Sequence, residues 1–459
     1  MRSFAFAFSI SALAFVASTH VARADDVSAG AEQSPKRTVP DYDGRGRPDA
    51  KADNVGTWLA RILLSPLWFT TEYGMREPAA ALTKGIEKGD IASRMYDTFA
   101  FGPHHSFGFL PIGFVEFGFN PSVGVYGFWN DALVKGNDIR LHYELWPVEW
   151  FGGSLTDRYR IDRDRWVQLR FAALKRPDQV FYGIGPDTPQ WHQSRYGIDK
   201  FEVSGAMETR VWRSSRIRGT VGVRKVDLFH GHYGDDPSLE DEARAGGFEV
   251  PFGFDRGYMG PFTDLHLVVD SRKREASPPE SAIRRGSSFR AEVESEQGAD
   301  VEHSPSSGWI RYGGNVGAFV DLNGHGRILS LQVAALFADP LVGQQLPFTE
   351  MVTLGGDVWM RGYFPGRLVD RSAAVAQLGY EWPVAPKLDA TMQAAVGNVF
   401  GEHLSDFDAR LLRVSAAFGL EAHVGDPPIQ FLVGFGTEPI ERGATVDSFR
   451  ISVGVPRTF

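Results

Sequence analysis

Apolar and polar side chains alternate along the chain from about Phe107 to Phe459. Near the end, Phe449 and Ile451 fall on one face, while Ser448 and Arg450 fall on the other. A period of two residues is typical of a strand with one apolar and one polar face. The pattern predicts about 16 strands, at 107–119, 122–132, 138–147, 152–161, 165–175, 198–212, 216–230, 261–270, 286–297, 308–322, 326–338, 372–383, 387–398, 410–423, 428–437 and 447–459.

The links between these strands alternate in length. Links after even-numbered strands are mostly short, although 271–285 is an exception, whereas odd-numbered strands precede the long stretches 176–196, 231–260 and 339–371. Short turns at one end and long loops at the other are typical of outer-membrane barrels, which close on themselves because lipid cannot satisfy a sheet edge. The sequence therefore predicts an all-β fold, a transmembrane antiparallel β-barrel over 107–459, with both termini periplasmic in a Gram-negative outer membrane.

Three segments precede the predicted barrel. Residues 1–24 combine Arg2, an apolar stretch and the small-residue site Ala22-Arg23-Ala24, which together predict a secretory signal peptide. Residues 25–56 are polar and aperiodic, which indicates a flexible mature N-terminus. Residues 57–95 carry apolar side chains at near-helical spacing and predict a short amphipathic helical segment. Such a segment either plugs the barrel or lies on the membrane surface, and the pattern leaves both open.

Composition excludes several classes of protein. The 459 residues include 51 Gly and 34 Phe but no Cys, so disulfides, thiolate nucleophiles and thiolate metal sites are excluded. The formal net charge is -9 and there is no basic block, which argues against a nucleic-acid partner. After the N-terminus no apolar run is long enough to predict a membrane-spanning helix.

The sequence contains no catalytic motif for a serine hydrolase, a nucleotide-binding loop or a paired metal site. His230, His232, Asp235 and Asp236 have side chains that bind metals, but they fall in a loop rich in Asp, Glu and Gly, where solvated residues are expected. We therefore expect no enzyme activity, no cofactor and no bound metal. An enzyme with a site in the outer loops is the weakest of the alternatives.

One long loop carries a specific family resemblance. The segments in question are Leu346-Pro347-Phe348, Leu354-Gly355-Gly356, Met360-Arg361-Gly362-Tyr363-Phe364 and Gly379-Tyr380-Glu381-Trp382-Pro383. They resemble the BamA/TamA superfamily, also called the bacterial surface antigen family. Shorter matches occur at 181–185, 270–272 and 397–399, and the terminal Phe459 resembles the C-terminal signal read by the outer-membrane assembly machinery.

The resemblance implies that the sixth outer loop, residues 339–371, folds back into the barrel lumen and presents the motif Arg361, Gly362, Tyr363 and Phe364. A guanidinium keeps its charge in a lumen, so Arg361 needs a carboxylate or carbonyl partner. Glu381 faces inward by the strand pattern and is the expected partner. The family usually has an inward Asp where this chain has Ala395, so half of the expected set of partners is missing.

The function implied by the resemblance is assembly or translocation of outer-membrane proteins or lipid, through a lateral seam between the first and last strands. Family members that act on proteins carry periplasmic POTRA domains, and residues 25–106 are too short for a series of them, so we expect a barrel-only member. The alternative is a passive or gated pore plugged by the N-terminal helices. Expected partners are outer-membrane lipid, client outer-membrane proteins and the assembly machinery, and we expect a monomer.

Overall fold

The computed structural model describes residues 98–145, 150–273, 283, 285–303, 306–343, 345–385, 387–423 and 427–456. The predicted signal peptide, the flexible N-terminus, the amphipathic segment over 57–95 and the terminal Phe459 lie outside these residues.

Sixteen antiparallel strands form one closed barrel, which confirms the predicted fold class. A two-residue strand, β1 (Ala100–Phe101), pairs with the start of the first barrel strand. The barrel strands are β2 (Phe107–Glu116), β3 (Ser122–Trp129), β4 (Asn137–Leu145), β5 (Phe151–Arg160), β6 (Arg165–Phe181), β7 (Ser194–Trp212), β8 (Ser215–His230), β9 (Tyr258–Asp270), β10 (Ser288–Asp300), β11 (Ser307–Asp321), β12 (Ile328–Val342), β15 (Ser372–Ala385), β16 (Leu388–Phe400), β17 (Arg413–Ala422), β18 (Ile429–Thr437) and β19 (Val446–Gly454). Two short strands, β13 (Val352–Leu354) and β14 (Leu368–Asp370), pair with each other in the loop between β12 and β15.

The two faces of each barrel strand differ as the alternation predicts. On β19, Phe449 and Val453 are 50% and 42% exposed on the outside, whereas Ser448 and Arg450 are 4% and 1% exposed on the inside. The same contrast recurs on other strands, with exposed apolar residues such as Leu265, Leu331 and Val333. An apolar outer surface around a polar interior is what a barrel in lipid requires.

The strands around the third outer loop are longer than the sequence predicts. β6 ends at Phe181 and β7 begins at Ser194, so the loop shrinks from 176–196 to 182–193. The Arg-Pro-Asp stretch at 176–178 has the composition of a turn. In the structure a register shift between Arg176 and Gln179 accommodates the proline, and the side chains of Arg176 and Asp178 form a buried ion pair of 2.7 Å. The strand therefore continues.

Helical structure is sparse in the described part of the chain. The helix α1 (Leu239–Arg244) lies in the loop between β8 and β9, and the Ser238 hydroxyl caps it by accepting a hydrogen bond from Asp241 N at 3.0 Å. Among the described residues, no helix has the length and apolar character needed to cross a membrane.

The largest buried apolar cluster lies inside the barrel, between the loop over 343–371 and the inner wall. The loop contributes Leu346, Val352, Leu354, Met360, Tyr363 and Leu368, and the wall contributes Trp309, Ala334, Ala338, Ala373, Val375, Ala395 and Val399, among others. Small inward side chains on the wall leave room for the large side chains of the loop, and the burial of these apolar groups stabilises the loop within the lumen.

Candidate functional site in the barrel lumen

The loop over 343–371, which we call the lumen loop, is the candidate site. It has its own hairpin, since β13 and β14 pair from Val352 with Asp370 to Leu354 with Leu368. Two glycines with positive φ, Gly355 at 107° and Gly356 at 83°, turn the chain after β13. A left-handed backbone of this kind favours glycine, because a Cβ would be strained there.

The Arg-Gly-aromatic motif packs against the last three barrel strands. Gly362 N donates to Ser415 Oγ on β17 at 2.9 Å, and Gly362 O accepts from Ser448 Oγ on β19 at 2.9 Å. A Cβ on Gly362 would lie 1.9 Å from Phe435 O on β18, so only glycine fits this close approach. The motif therefore brings the backbone of the lumen loop into direct contact with the backbone of the barrel wall.

The two aromatic residues of the motif, Tyr363 and Phe364, pack against different parts of the barrel. Tyr363 is fully buried, and its hydroxyl donates to Thr437 O at 2.6 Å and accepts from Thr437 N at 2.7 Å. Burial raises the pKa of Tyr363 to about 12, so the hydroxyl stays protonated at neutral pH. Phe364 meets Phe119 edge to face, with ring centroids 5.1 Å apart.

Arg361 contacts its own loop and β16 directly. Its Nε donates to Asp357 O at 2.6 Å and its Nη1 to Thr391 Oγ1 at 3.4 Å. Burial lowers the pKa of Arg361, while the carboxylates of Asp357 and Glu381 act in the opposite direction. No ion pair within 4.0 Å joins Arg361 to Glu381, both of which are described, and the assignment of Glu381 as the partner stays a prediction. Ala395 is 4% exposed and packs in the apolar cluster of the loop.

Arg450 on β19 connects three parts of the molecule. Its Nε donates to Glu116 Oε1 on β2 at 2.5 Å, its Nη1 to Gly356 O at 2.6 Å and its Nη2 to Asp357 Oδ1 at 2.8 Å. Arg450 and Glu116 are 1% and 5% exposed, so the ion pair is buried. The last strand, the first strand and the lumen loop thus share one guanidinium.

Two further charged groups hold the ends of the lumen loop. Glu350 lies 3.2 Å from Arg224 Nη1 on β8 and accepts a hydrogen bond from the hydroxyl of Tyr258 on β9. Arg367 is buried and donates to Thr188 O and Thr188 Oγ1, both at 2.9 Å. The sequence pattern did not identify Arg450, Glu350 or Arg367 as residues of the site. The sequence does show that each of these is a charged residue at an inward strand position or within the loop. Their partners could not be read from the sequence, because each partner is more than 90 residues away along the chain.

The junction between β19 and β2, which we call the seam, is short. Its register extends only from Ser452 opposite Glu116 to Gly454 opposite Phe114, whereas β18 and β19 pair from Gln430 with Gly454 to Thr437 with Val446. Gly454 has a φ of 134°, and a Cβ there would lie 2.0 Å from Gly113 O. One further backbone hydrogen bond lies at each end of this register, from Phe117 N to Ile451 O and from Val455 N to Gly113 O, both at 3.0 Å. The ladder that closes the barrel is still short, and the Arg450–Glu116 ion pair adds to it.

The weak metal candidate in the fourth outer loop has other contacts. The carboxylate of Asp236 pairs with Arg195 at 2.8 Å, and His230 Nδ1 lies 3.6 Å from Glu240. Among the described residues, Asp339, Glu402 and His403 bring ligand atoms close together, but Arg371 already donates to both carboxylates. The expectation of no catalysis, no cofactor and no metal stays a prediction.

No protein-family model and no curated protein matches this sequence. Among solved structures, the chain is similar in fold to BamA from Haemophilus ducreyi lacking POTRA domains 1-3, with 13% identity over 76% of this chain and 70% of that chain and a TM-score of 0.49. It is also similar to CdiB from Acinetobacter baumannii (10% identity, 76% and 60% covered, TM-score 0.45) and CdiB from Escherichia coli (12%, 75% and 62%, 0.44). The matched region spans less than two thirds of either CdiB chain. The closed barrel with its apolar outer surface supports an outer-membrane location.

Proposed function

We propose that this chain is an outer-membrane barrel of the BamA/TamA type that assembles or translocates protein or lipid clients through the seam, with the lumen loop controlling the seam. The single observation that carries this proposal is the position of Arg450. Its guanidinium contacts Glu116 across the seam and Gly356 and Asp357 in the lumen loop. A displacement of the loop would remove two of the hydrogen bonds that orient Arg450 towards Glu116.

A short seam suits a client that pairs with the edge of the barrel sheet as an additional β-strand. When β2 and β19 separate, each exposes backbone N–H and C=O groups that can pair with an incoming segment. Only the short segments 113–117 and 451–455 must be released, since backbone hydrogen bonds from Phe117 N to Ile451 O and from Val455 N to Gly113 O lie at the two ends of the register. The other barrel junctions are long ladders, such as that between β6 and β7, so they would stay closed. In this proposal both termini and the short turns lie on the periplasmic side.

A reversible cross-link of the seam tests the proposal. Val115 and Val453 are opposite each other in the register and lie on the outer surface, and the chain has no cysteine of its own. We expect the oxidised V115C/V453C variant to lose the ability to speed insertion of a model outer-membrane protein into liposomes, and a reductant to restore it. The matched control is L331C/L378C, which joins β12 to β15 at a register pair on the outer surface.

The possible results separate the two candidate functions. Full insertion activity with the seam cross-linked would reject the lateral seam. A chain that conducts ions across a planar bilayer but never speeds insertion would be a pore, which is the alternative reading.

A further inference from the structure

A row of arginines lies on the lumen side of the wall, towards the short turns. We call this set the basic wall: Arg158 and Arg160 on β5, Arg210 on β7, and Arg216 and Arg218 on β8. They alternate along their strands with exposed apolar residues of the outer surface, such as Tyr159, Val211 and Ile217. On β8 they share a face with Arg224, which contacts Glu350 of the lumen loop.

Carboxylates neutralise the basic wall only in part. Arg160 pairs with Asp138 at 2.9 Å, and Arg216 lies 3.5 Å from Glu208. Arg158 instead donates to the neutral amide of Gln168 at 2.8 Å and lies over the ring of Trp166, 4.7 Å from its centroid. The carboxylate of Asp264 on β9 interacts with Arg218. Three carboxylates, Asp138, Glu208 and Asp264, thus face the five guanidiniums of the basic wall, which keeps an excess of positive charge.

The register places two of these arginines side by side. Arg210 is directly opposite Arg216 in the ladder between β7 and β8. Within the described residues, Arg210 forms no ion pair and no side-chain hydrogen bond. The nearby carboxylate of Glu208 pairs with Arg216 instead. Like charges directly opposite each other destabilise a sheet. An anion bound between them would remove this repulsion.

The basic wall is open to water at one end of the lumen. Arg158, Arg160 and Arg210 are exposed although they face inward, and the side chain of Arg160 is 60% exposed. Towards the long loops this part of the barrel is filled, since Trp150 just before β5, Asp178 on β6 and Arg195 on β7 are almost completely buried. The wall therefore lines a vestibule that opens at the end carrying the short turns 161–164 and 213–214.

We propose that the basic wall binds an acidic, extended segment of a polypeptide that enters from the short-turn end. Arginines two residues apart on a strand repeat about every 6.8 Å, which is also the repeat of alternate side chains in an extended peptide. A lipid with an anionic head group fits less well, because its acyl chains would enter a polar lumen. That the segment belongs to a client rests on the proposed function above.

Peptide binding to the mature chain in detergent micelles tests this inference. The probe is a fluorescent peptide of alternating Glu and Ser, compared with one of alternating Lys and Ser by fluorescence anisotropy. We expect the acidic peptide alone to bind, more weakly as salt is added, because salt screens the water-exposed charges. The R158Q/R160Q/R210Q variant should bind the acidic peptide about tenfold more weakly. It loses three charge contacts with the peptide, and each contributes little because it is partly solvated.

A matched control separates position from total charge. The R163Q/R165Q/R213Q variant removes the same number of charges at the same end of the barrel, in and beside the turns rather than in the lumen. It should keep the affinity of the unmodified chain. Equal loss in both variants, or equal binding of both peptides, would overturn the proposal.

The binding test is independent of the seam. The oxidised V115C/V453C chain should bind the acidic peptide with unchanged affinity, because the basic wall lies on β5, β7 and β8. A failure of the insertion experiment would therefore leave the binding result standing, and loss of binding in the basic-wall variant alone would not depend on any insertion activity.

Discussion

Single residues in this protein act mainly through buried charge. Arg450 has a carboxylate partner across the seam and a carbonyl and a carboxylate in the lumen loop. A buried charge left without its partner is costly, whereas a pair of neutral side chains at the same positions is tolerated far better. The consequence of each substitution therefore depends on what remains opposite it.

The pair Arg450 and Glu116 should show strong coupling. We expect R450Q or E116Q alone to lower the free energy of unfolding by about 3 kcal/mol, because R450Q leaves the buried Glu116 unpaired and E116Q leaves the buried Arg450 with only the exposed carboxylate of Asp357. The double variant should lose clearly less than the sum of the two. Urea unfolding followed by tryptophan fluorescence measures all three, and additive losses would show that the two side chains do not interact.

Asp370 should make the loop hairpin sensitive to pH. Burial raises the pKa of Asp370 from 3.8 to about 6, with the nearby Asp406 carboxylate acting in the same direction. The folded chain therefore holds a proton that the unfolded chain releases, so stability falls as pH rises through this window and stays lower above it. The D370N variant should be about 2 kcal/mol more stable than the unmodified chain at neutral pH and equal to it near pH 4.

The exposed Asp408 provides the control for this pH profile. Its hydrogen bond from the Arg410 side chain lowers its pKa, so the D408N variant should lose stability at neutral pH rather than gain it. Urea titrations at the two pH values compare the variants. A D370N variant whose stability follows the same pH curve as the unmodified chain would exclude Asp370 as the titrating group.

At the scale of elements, the lumen loop depends on close backbone contact with β17, β18 and β19. Gly362 lies between Ser415 and Ser448, and Gly434 and Gly436 on β18 leave space for the loop backbone and the Tyr363 ring. Small residues on both sides of the contact let the two backbones meet. Close steric fit therefore holds the lumen loop in place as much as the ion pairs and hydrogen bonds of its charged residues do.

Substitution of Gly362 should displace the loop without opening the sheet. The methyl group of G362A would meet Phe435 O at 1.9 Å, which is far inside van der Waals contact. We expect faster cleavage within 343–371 by an added protease, while the strand content measured by circular dichroism stays unchanged. The matched control is G219A, because a Cβ at Gly219 would have no atom within 4 Å. G313A would not serve, since a Cβ at Gly313 would lie 2.5 Å from the backbone oxygen of Ala335. G219A should therefore resist cleavage like the unmodified chain.

The strands were predictable from sequence because their signal is local. Alternation on β19 alone separates Phe449 and Val453 from Ser448 and Arg450, and the exposures follow it. Strand ends were less predictable where the strand continues through polar residues, as β6 does past Pro177. The loop contacts of Glu350, Arg367 and Arg450 could not be predicted, because each partner lies on a strand or loop that only closure of the barrel brings near.

For the whole molecule, the ladders are unequal in length around the barrel. β6 and β7 pair from Arg165 with Thr209 to Phe181 with Ser194, whereas the seam register covers three residues on each side, with one more backbone hydrogen bond at either end. Local opening is easiest where few backbone hydrogen bonds must break. The seam should therefore be the least protected junction of the barrel.

Hydrogen exchange followed by mass spectrometry should show this inequality directly. We expect peptides from β2 and β19 to exchange faster than peptides from β6 and β7 in the unmodified chain. The R450Q variant should accelerate exchange at β2 and β19 and leave β6 and β7 unchanged. Uniform exchange around the barrel, or a uniform acceleration in R450Q, would contradict a locally weak seam.

The seam also has the longest sequence separation of any junction in the barrel. Neighbouring barrel strands elsewhere follow one another along the chain, and the longest link between them is the lumen loop over 343–371, whereas Glu116 and Arg450 are 334 residues apart. The entropy cost of loop closure rises with that separation, and contacts between distant residues slow folding. The sheet can therefore assemble hairpin by hairpin as an open ribbon, and its two ends meet last. Because Arg450 contacts both Glu116 and the lumen loop, entry of the loop and joining of the two ends complete the contacts of the same guanidinium. The slower of these two events would set the rate at which the barrel matures.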